Sequence, residues 1–123
     1  MLVNSGKDVI VDRLLGNNAI PQYMGFGSGV GSVAAADTQL FVEVARVTGT
    51  PTQQTTNTTG DTFRVVGTYT ASGNVGLTNV GLWTNATMGQ GDLFTKSTYA
   101  VINLSSGDQL EITYNTIFVA SGV

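Results

Sequence analysis

The sequence predicts a mainly β fold: an antiparallel β-sandwich of jelly-roll-like form with one short N-terminal helix. Three observations predict it. Short runs rich in β-branched and aromatic residues recur along the chain, separated by turns rich in glycine and asparagine. Apolar residues take helical spacing only once, near the start. The 123 residues include only two prolines, Pro21 and Pro51, and suit a single domain with one core over 1–123.

The helix is expected over 5–15, where Ser5 precedes Asp8 by three residues as a capping pair and Val9, Ile10, Leu14 and Leu15 form an apolar stripe before Gly16 stops it. A helix this short is marginal alone in water, so it must pack on the sheet or on another subunit. The turn residues Gly16, Asn17 and Asn18 lead into a strand over 20–26, with Tyr23, Met24 and Phe26, entered past Pro21 at an edge. The glycine-rich stretch 25–31 lacks the lysine or the G-x-G-x-x-G spacing of a phosphate cradle, so its glycines are read as serving close backbone approach and positive φ.

A half-buried strand is expected over 40–47, with Glu43 and Arg46 punctuating an apolar run. Residues 48–62 offer no apolar anchor and read as a long exposed loop or hairpin tip. Residues 63–70 alternate, with Phe63, Val65 and Tyr69 on one face. Strands over 75–84 and 92–99 follow, joined through the turn-prone 85–91, and the last runs over 109–119 with Leu110, Ile112 and Tyr114 on one face. Short strands spaced by turns in this way make a sandwich.

Charged residues form 11% of the chain, against about 25% in an ordinary soluble domain. Threonine, serine, asparagine, glutamine and glycine must therefore fill water-facing positions, and such a surface suits permanent contact with other subunits. The net charge is −3, with Lys7, Arg13, Arg46, Arg64 and Lys96 as the cations. They form no cluster able to displace counterions from a phosphate backbone, so no nucleic-acid partner is expected. No apolar run is long enough to span a membrane, so no membrane partner is expected either. The first residues lack a basic region followed by an apolar run, so the chain is expected to stay in the cytoplasm until it assembles.

The chain has neither cysteine nor histidine, which removes disulfides, thiolate catalysis, thiol-ligated zinc and every triad that needs an imidazole. Asp8 with Asp12, and Asp108 with Glu111, are the only acid/base pairs to consider. Helix-face and turn carboxylates describe them better, and the acids near Asp37 and Glu43 read as ordinary solvated positions. No calcium-loop pattern occurs. No enzyme, cofactor or metal is therefore expected. Trp83, the single tryptophan, is read as core beside Leu82 in preference to a sugar-stacking face, and is carried also as an interface anchor. The tripeptides at Asn57, Asn85 and Asn103 that match the glycosylation pattern carry no meaning without a secretory signal.

Seven segments taken in order resemble a group of small virion structural proteins of tailed phages. They are VIVDRLL at 9–15, PQYMGFG at 21–27, AAADTQLFVEVAR at 34–46, RVVGTYT at 64–70, VGLW at 80–83, LFTKSTY at 93–99 and GDQLEITY at 107–114. Each is a common strand or turn pattern, and the specificity lies in their order. Trp83 departs from the phenylalanine often found at that place. The resemblance implies a β-sandwich component of the virion, either a capsid decoration protein or a tail-fibre or baseplate protein, and brings no catalytic residues.

The expected function is thus a capsid decoration or cement protein that binds the major capsid protein, or other virion subunits, as a homo-oligomer such as a trimer. A tail, neck or fibre-attachment component is the alternative, although no internal repeat of a fibre is present. A carbohydrate-binding module using Trp83 is a third reading. The interface candidates are Val9, Ile10 and Leu14 on the helix, Tyr23 and Phe26 on the first strand, Gln53, Thr55 and Asn57 in the polar loop, and Trp83.

Overall fold

The computed structural model describes residues 1–17 and 19–120; Asn18 of the expected turn lies outside them. The element order is α1 (Asn4–Leu14), β1 (Tyr23–Gly27), β2 (Glu43–Thr48), β3 (Thr50–Gln54), β4 (Thr62–Thr70), β5 (Val75–Trp83), β6 (Leu93–Leu104) and β7 (Gln109–Ile117). The strands form two antiparallel sheets, one of order β2-β1-β5-β6 and one of order β3-β4-β7. The mainly β sandwich with a single short helix is the architecture its patterning predicts.

The helix begins one residue earlier than its polar residues suggest. Val3 is the N-cap, and no side chain caps it. Ser5 instead donates its hydroxyl to the Leu93 carbonyl at 2.6 Å, tying the first turn to β6. The C-terminus stops as expected: Gly16 takes a φ of 81°, its N–H bonds the Arg13 carbonyl, and the Asn17 N–H bonds the Asp12 carbonyl. This paired closure is the glycine stop that the left-handed region makes easy.

Between the sheets lie Met24 and Phe26 of β1, Val65 of β4, Leu77 and Leu82 of β5, and Tyr114 of β7. The rings of Phe26 and Tyr69 stand 5.3 Å apart across this core, and Phe63 meets Phe94 edge-on at 5.9 Å. A second cluster, Val3, Leu40, Trp83 and Leu93, packs apart from that main core. The connection 28–42 reaches β5 through Asn79, whose Oδ1 accepts from the Phe41 N–H and whose Nδ2 donates to the Phe41 carbonyl, both at 3.0 Å. Asn79 is fully buried and supplies the backbone pairing that a strand would.

The glycines of 25–31 serve close approach alone. A Cβ on Gly25 would run into the Glu43 carboxylate, and one on Gly31 would lie 2.7 Å from the Phe41 ring. None of the four lies among the glycines with positive φ, which correct that part of the expectation.

The expected loop over 48–62 is in its first part a strand. β3 pairs with β4 from Thr50 opposite Val66 to Gln54 opposite Thr62. It is an edge strand, where backbone pairing needs no apolar side chain and Pro51 is tolerated. Only Gly49 separates it from β2, so a single ribbon supplies an edge to each sheet, creased where the Gly49 N–H bonds the Gln22 carbonyl at 2.8 Å. The remaining strands differ in their limits: β1 starts at Tyr23, β2 starts at Glu43, and β6 continues to Leu104.

Candidate interaction surface

An open groove of about 590 Å³ runs between α1 and the end of the three-stranded sheet. Val9 and Ile10 of the helix, Phe63 of β4 and Phe94 of β6 give it apolar walls. Leu14 stands on its rim 82% exposed, joined by Ile20 and Phe118. Val11 and Leu15 extend the exposed apolar surface along the helix. Leu14 and Leu15 are solvent-facing because α1 lies on β6 through Val9 and Gly6, both buried, so the expected stripe is split between sheet and water.

The other bank is built by the β3–β4 turn. Asp61 lines the groove and accepts the N–H groups of Thr56, Asn57 and Thr58 at 2.9 to 3.0 Å, together with the Thr62 hydroxyl at 2.8 Å. These donors, that of Thr58 first, hold its carboxyl far below the usual carboxylate range. Gln53 donates to the Gly60 carbonyl at 3.0 Å and closes the turn from the side. A polar, uncharged loop is thereby fixed in shape next to an apolar trough.

Four of the predicted interface residues, Val9, Ile10, Leu14 and Gln53, line this groove, and Thr55 and Asn57 stand exposed on the adjoining turn. Tyr23 lies apart, half-buried against the cluster of Val3 and Trp83. Three candidates need correction as contact residues. Phe26 is fully buried between the sheets, Val9 is 1% exposed and forms only groove wall, and Trp83 is 4% exposed. Ile20 and Phe118 are groove residues that periodicity placed within strands; the signal for Ile20 was its place beside Pro21, which interrupts backbone pairing.

Trp83 is buried between the apolar cluster of Val3, Leu40 and Leu93 and the side chain of Arg46. The Arg46 side chain is 1% exposed and its Nε and Nη2 grip both carboxylate oxygens of Glu43, at 2.9 and 2.8 Å. Its guanidinium carbon lies 4.0 Å from the Trp83 ring centroid. The carbonyls of Asn85, Thr87 and Gln90 converge on its Nη1 at 2.8, 2.8 and 2.9 Å. One arginine thus shapes the whole β5–β6 connection and covers a face of the indole that a sugar would stack on.

Lys96 is 1% exposed, and its Nζ donates to the Gln39 carbonyl at 2.7 Å and to Asp37 at 3.1 Å above the Phe41 ring. Asp37 is held below its ordinary value by the Ala34 N–H and then by Lys96. Asp37 and Glu43, read from sequence as solvated positions, are therefore anchors for enclosed cations. The other acids stay outside: Asp108 accepts the Ser105 N–H across a turn at 2.8 Å, and Glu111 projects from β7. Among the described residues no three acidic side chains gather as a metal-holding group.

Arg46 and Lys96, two of the five cations, are enclosed, and the groove, which Arg13 and Asp61 also line, is otherwise walled by apolar and hydroxyl side chains. Such a surface can bind by shape and burial. Scans of the chain against protein-family models, curated proteins and solved structures return no match.

Proposed function

We propose that this chain is a non-catalytic structural component of a tailed-phage particle, a capsid decoration protein that grips the major capsid shell through the groove beside α1. The observation that carries the reading is the exposed apolar rim of Leu14, Ile20 and Phe118 round a preformed trough. Large apolar side chains left in water on a small domain mark contact sites. Covering them returns about 25 cal/mol for each Å² of apolar surface removed from water. The occupant that suits this trough is an apolar segment of the shell protein. The seven ordered segments that resemble small virion proteins point to the same kind of partner.

The experiment is binding of purified protein to shells stripped of it, with copies counted per particle. Leu14→Glu places a carboxylate on the apolar rim and should abolish attachment while leaving the fold intact. About 60 copies or more are expected for a protein covering an icosahedral shell, whereas a dozen or fewer would assign it to the tail. Undiminished attachment of the Leu14→Glu protein would overturn the groove as the contact.

A further inference from the structure

Among the described residues the two sheets end in four edge strands, and three of them carry a device that discourages pairing with another chain. On β2, the pairing with β1 slips between Phe26 and Gly27, beside Val42 with its φ of 51°. β3 carries Pro51. On β6, Leu2 bridges Thr95 and the Met1 and Lys96 backbones exchange hydrogen bonds, after which the register with β5 slips between Leu77 and Asn79. Bulges, prolines and covering segments are means of blunting an edge, as are charged side chains.

Among the described residues β7 carries none of the three, and its one charged side chain is Glu111. It pairs with β4 without a slip over all nine positions, from Gln109 to Ile117, and no strand among the described residues pairs with its other side. A regular edge of this length is a template for one more antiparallel strand.

The charges on β7 and its neighbour favour a second copy of β7. Arg64 stands opposite Asn115 on the outer face, and its Nε donates to the Asn115 Oδ1 at 2.8 Å, which holds the guanidinium against β7. Glu111 lies exposed on that same face and belongs to no ion pair among the described residues.

Let a two-fold axis pass through Thr113. All nine residues then pair, and Glu111 of each copy falls opposite Asn115 of the other. Strands lie about 4.8 Å apart, so Glu111 stands roughly 10 Å, backbone to backbone, from Arg64 of the second copy, a gap their side chains can span. The two Glu111 residues are separated by four positions along the strands, roughly 13 Å, beyond the screening length at physiological salt. The attraction occurs twice and the repulsion is screened.

We infer that two copies of this chain pair edge to edge through β7, joining their three-stranded sheets into one of six strands with Glu111 of each copy facing Arg64 of the other. The contact is isologous and closes on itself as a dimer. It uses the β7 edge, which adjoins the groove only at Phe118, and the variants at Leu14 and at Glu111 test the two contacts one at a time.

The test uses the full chain. Sedimentation equilibrium should find a dimer, Glu111→Arg should return it to monomer, and Glu111→Arg with Arg64→Glu should restore the dimer by exchanging the charges. Because the chain has no cysteine, Thr113→Cys reports on the axis directly. Facing residues of an antiparallel pair lie about 4.5 to 5.5 Å apart at Cα, within disulfide reach. Thr113→Cys should cross-link under mild oxidation, and Thr68→Cys, one strand further in, should not. A wild type that stays monomeric at millimolar concentration overturns the inference. So does a dimer indifferent to Glu111→Arg, or equal cross-linking at the two cysteine positions.

Discussion

Arg46 lies over Trp83 with its guanidinium carbon 4.0 Å from the ring centroid, while the same group closes a two-pronged ion pair with Glu43. Removing one partner of a buried, hydrogen-bonded pair leaves the other desolvated and costs about 3–5 kcal/mol. Arg46→Ala should lower stability by about that amount in urea unfolding followed by Trp83 fluorescence. Amide exchange should rise across 85–91, whose carbonyls lose their common donor. A loss confined to the fluorescence signal, with stability unchanged, would contradict this account.

Gly6 sets how closely α1 sits on β6. A Cβ there would fall inside the van der Waals shell of the Phe94 carbonyl, and 2.8 Å from the Leu2 side chain. The Phe94 carbonyl is backbone and cannot swing aside, so Gly6→Ala should destabilise by about 1–3 kcal/mol as an overpacked contact does. The opposite sign, the gain usual when alanine replaces glycine in a helix, would show that the helix can lift.

Acid should loosen the β3–β4 turn before it unfolds the domain. The Asp61 carboxyl is held below its ordinary value by the N–H groups of Thr58, Thr56 and Asn57. A depressed folded value means that its contribution is complete above the unfolded value of about 3.9 and is lost as pH falls through the lower folded value. Proton resonances of Thr56 to Thr58 should hold their positions down to that range and then move together. In Asp61→Asn the same resonances should be insensitive to acid.

At the alkaline end, burial pushes the Tyr99 phenol up to about 12, and its hydroxyl is enclosed without a partner. A raised folded value means stability is complete below the unfolded value of about 10 and is lost as pH climbs toward the folded one. Tyr99→Phe removes an unsatisfied polar atom. It should leave neutral-pH stability level or higher and flatten the alkaline decline, as read by unfolding midpoints across that range.

Much of the fold is legible because alternation and punctuation agree over β4 and β7, and turn residues bound the apolar run of β5. Phe63, Val65 and Tyr69 point inward as their spacing requires, and Gly16 ends the helix where the pattern does. β3 was illegible because an edge strand of Thr, Pro and Gln is held by its backbone, and its side chains carry no trace of the pairing. The Arg46–Glu43 pair was hidden for a different reason. Residues three apart on a regular strand face opposite ways, and only the slip that sets Phe26 opposite Ala45 and Gly27 opposite Glu43 brings them to one face. The groove was half legible: its helix residues announce themselves by period, whereas Phe118 joins them through the Asp61 carbonyl that its N–H reaches at 3.0 Å.

The crease at Gly49 ties the fate of the two sheets together. Since β2 and β3 are halves of one ribbon, peeling either edge drags on the other, and neither layer can shed its border strand alone. β1 also waits for β5, more than fifty residues downstream, to complete its pairing. Contacts that distant make refolding slow, on the scale of milliseconds to seconds typical of sandwiches. Denaturation should accordingly be a single concerted event, with no half-melted sandwich that keeps one layer and loses the other.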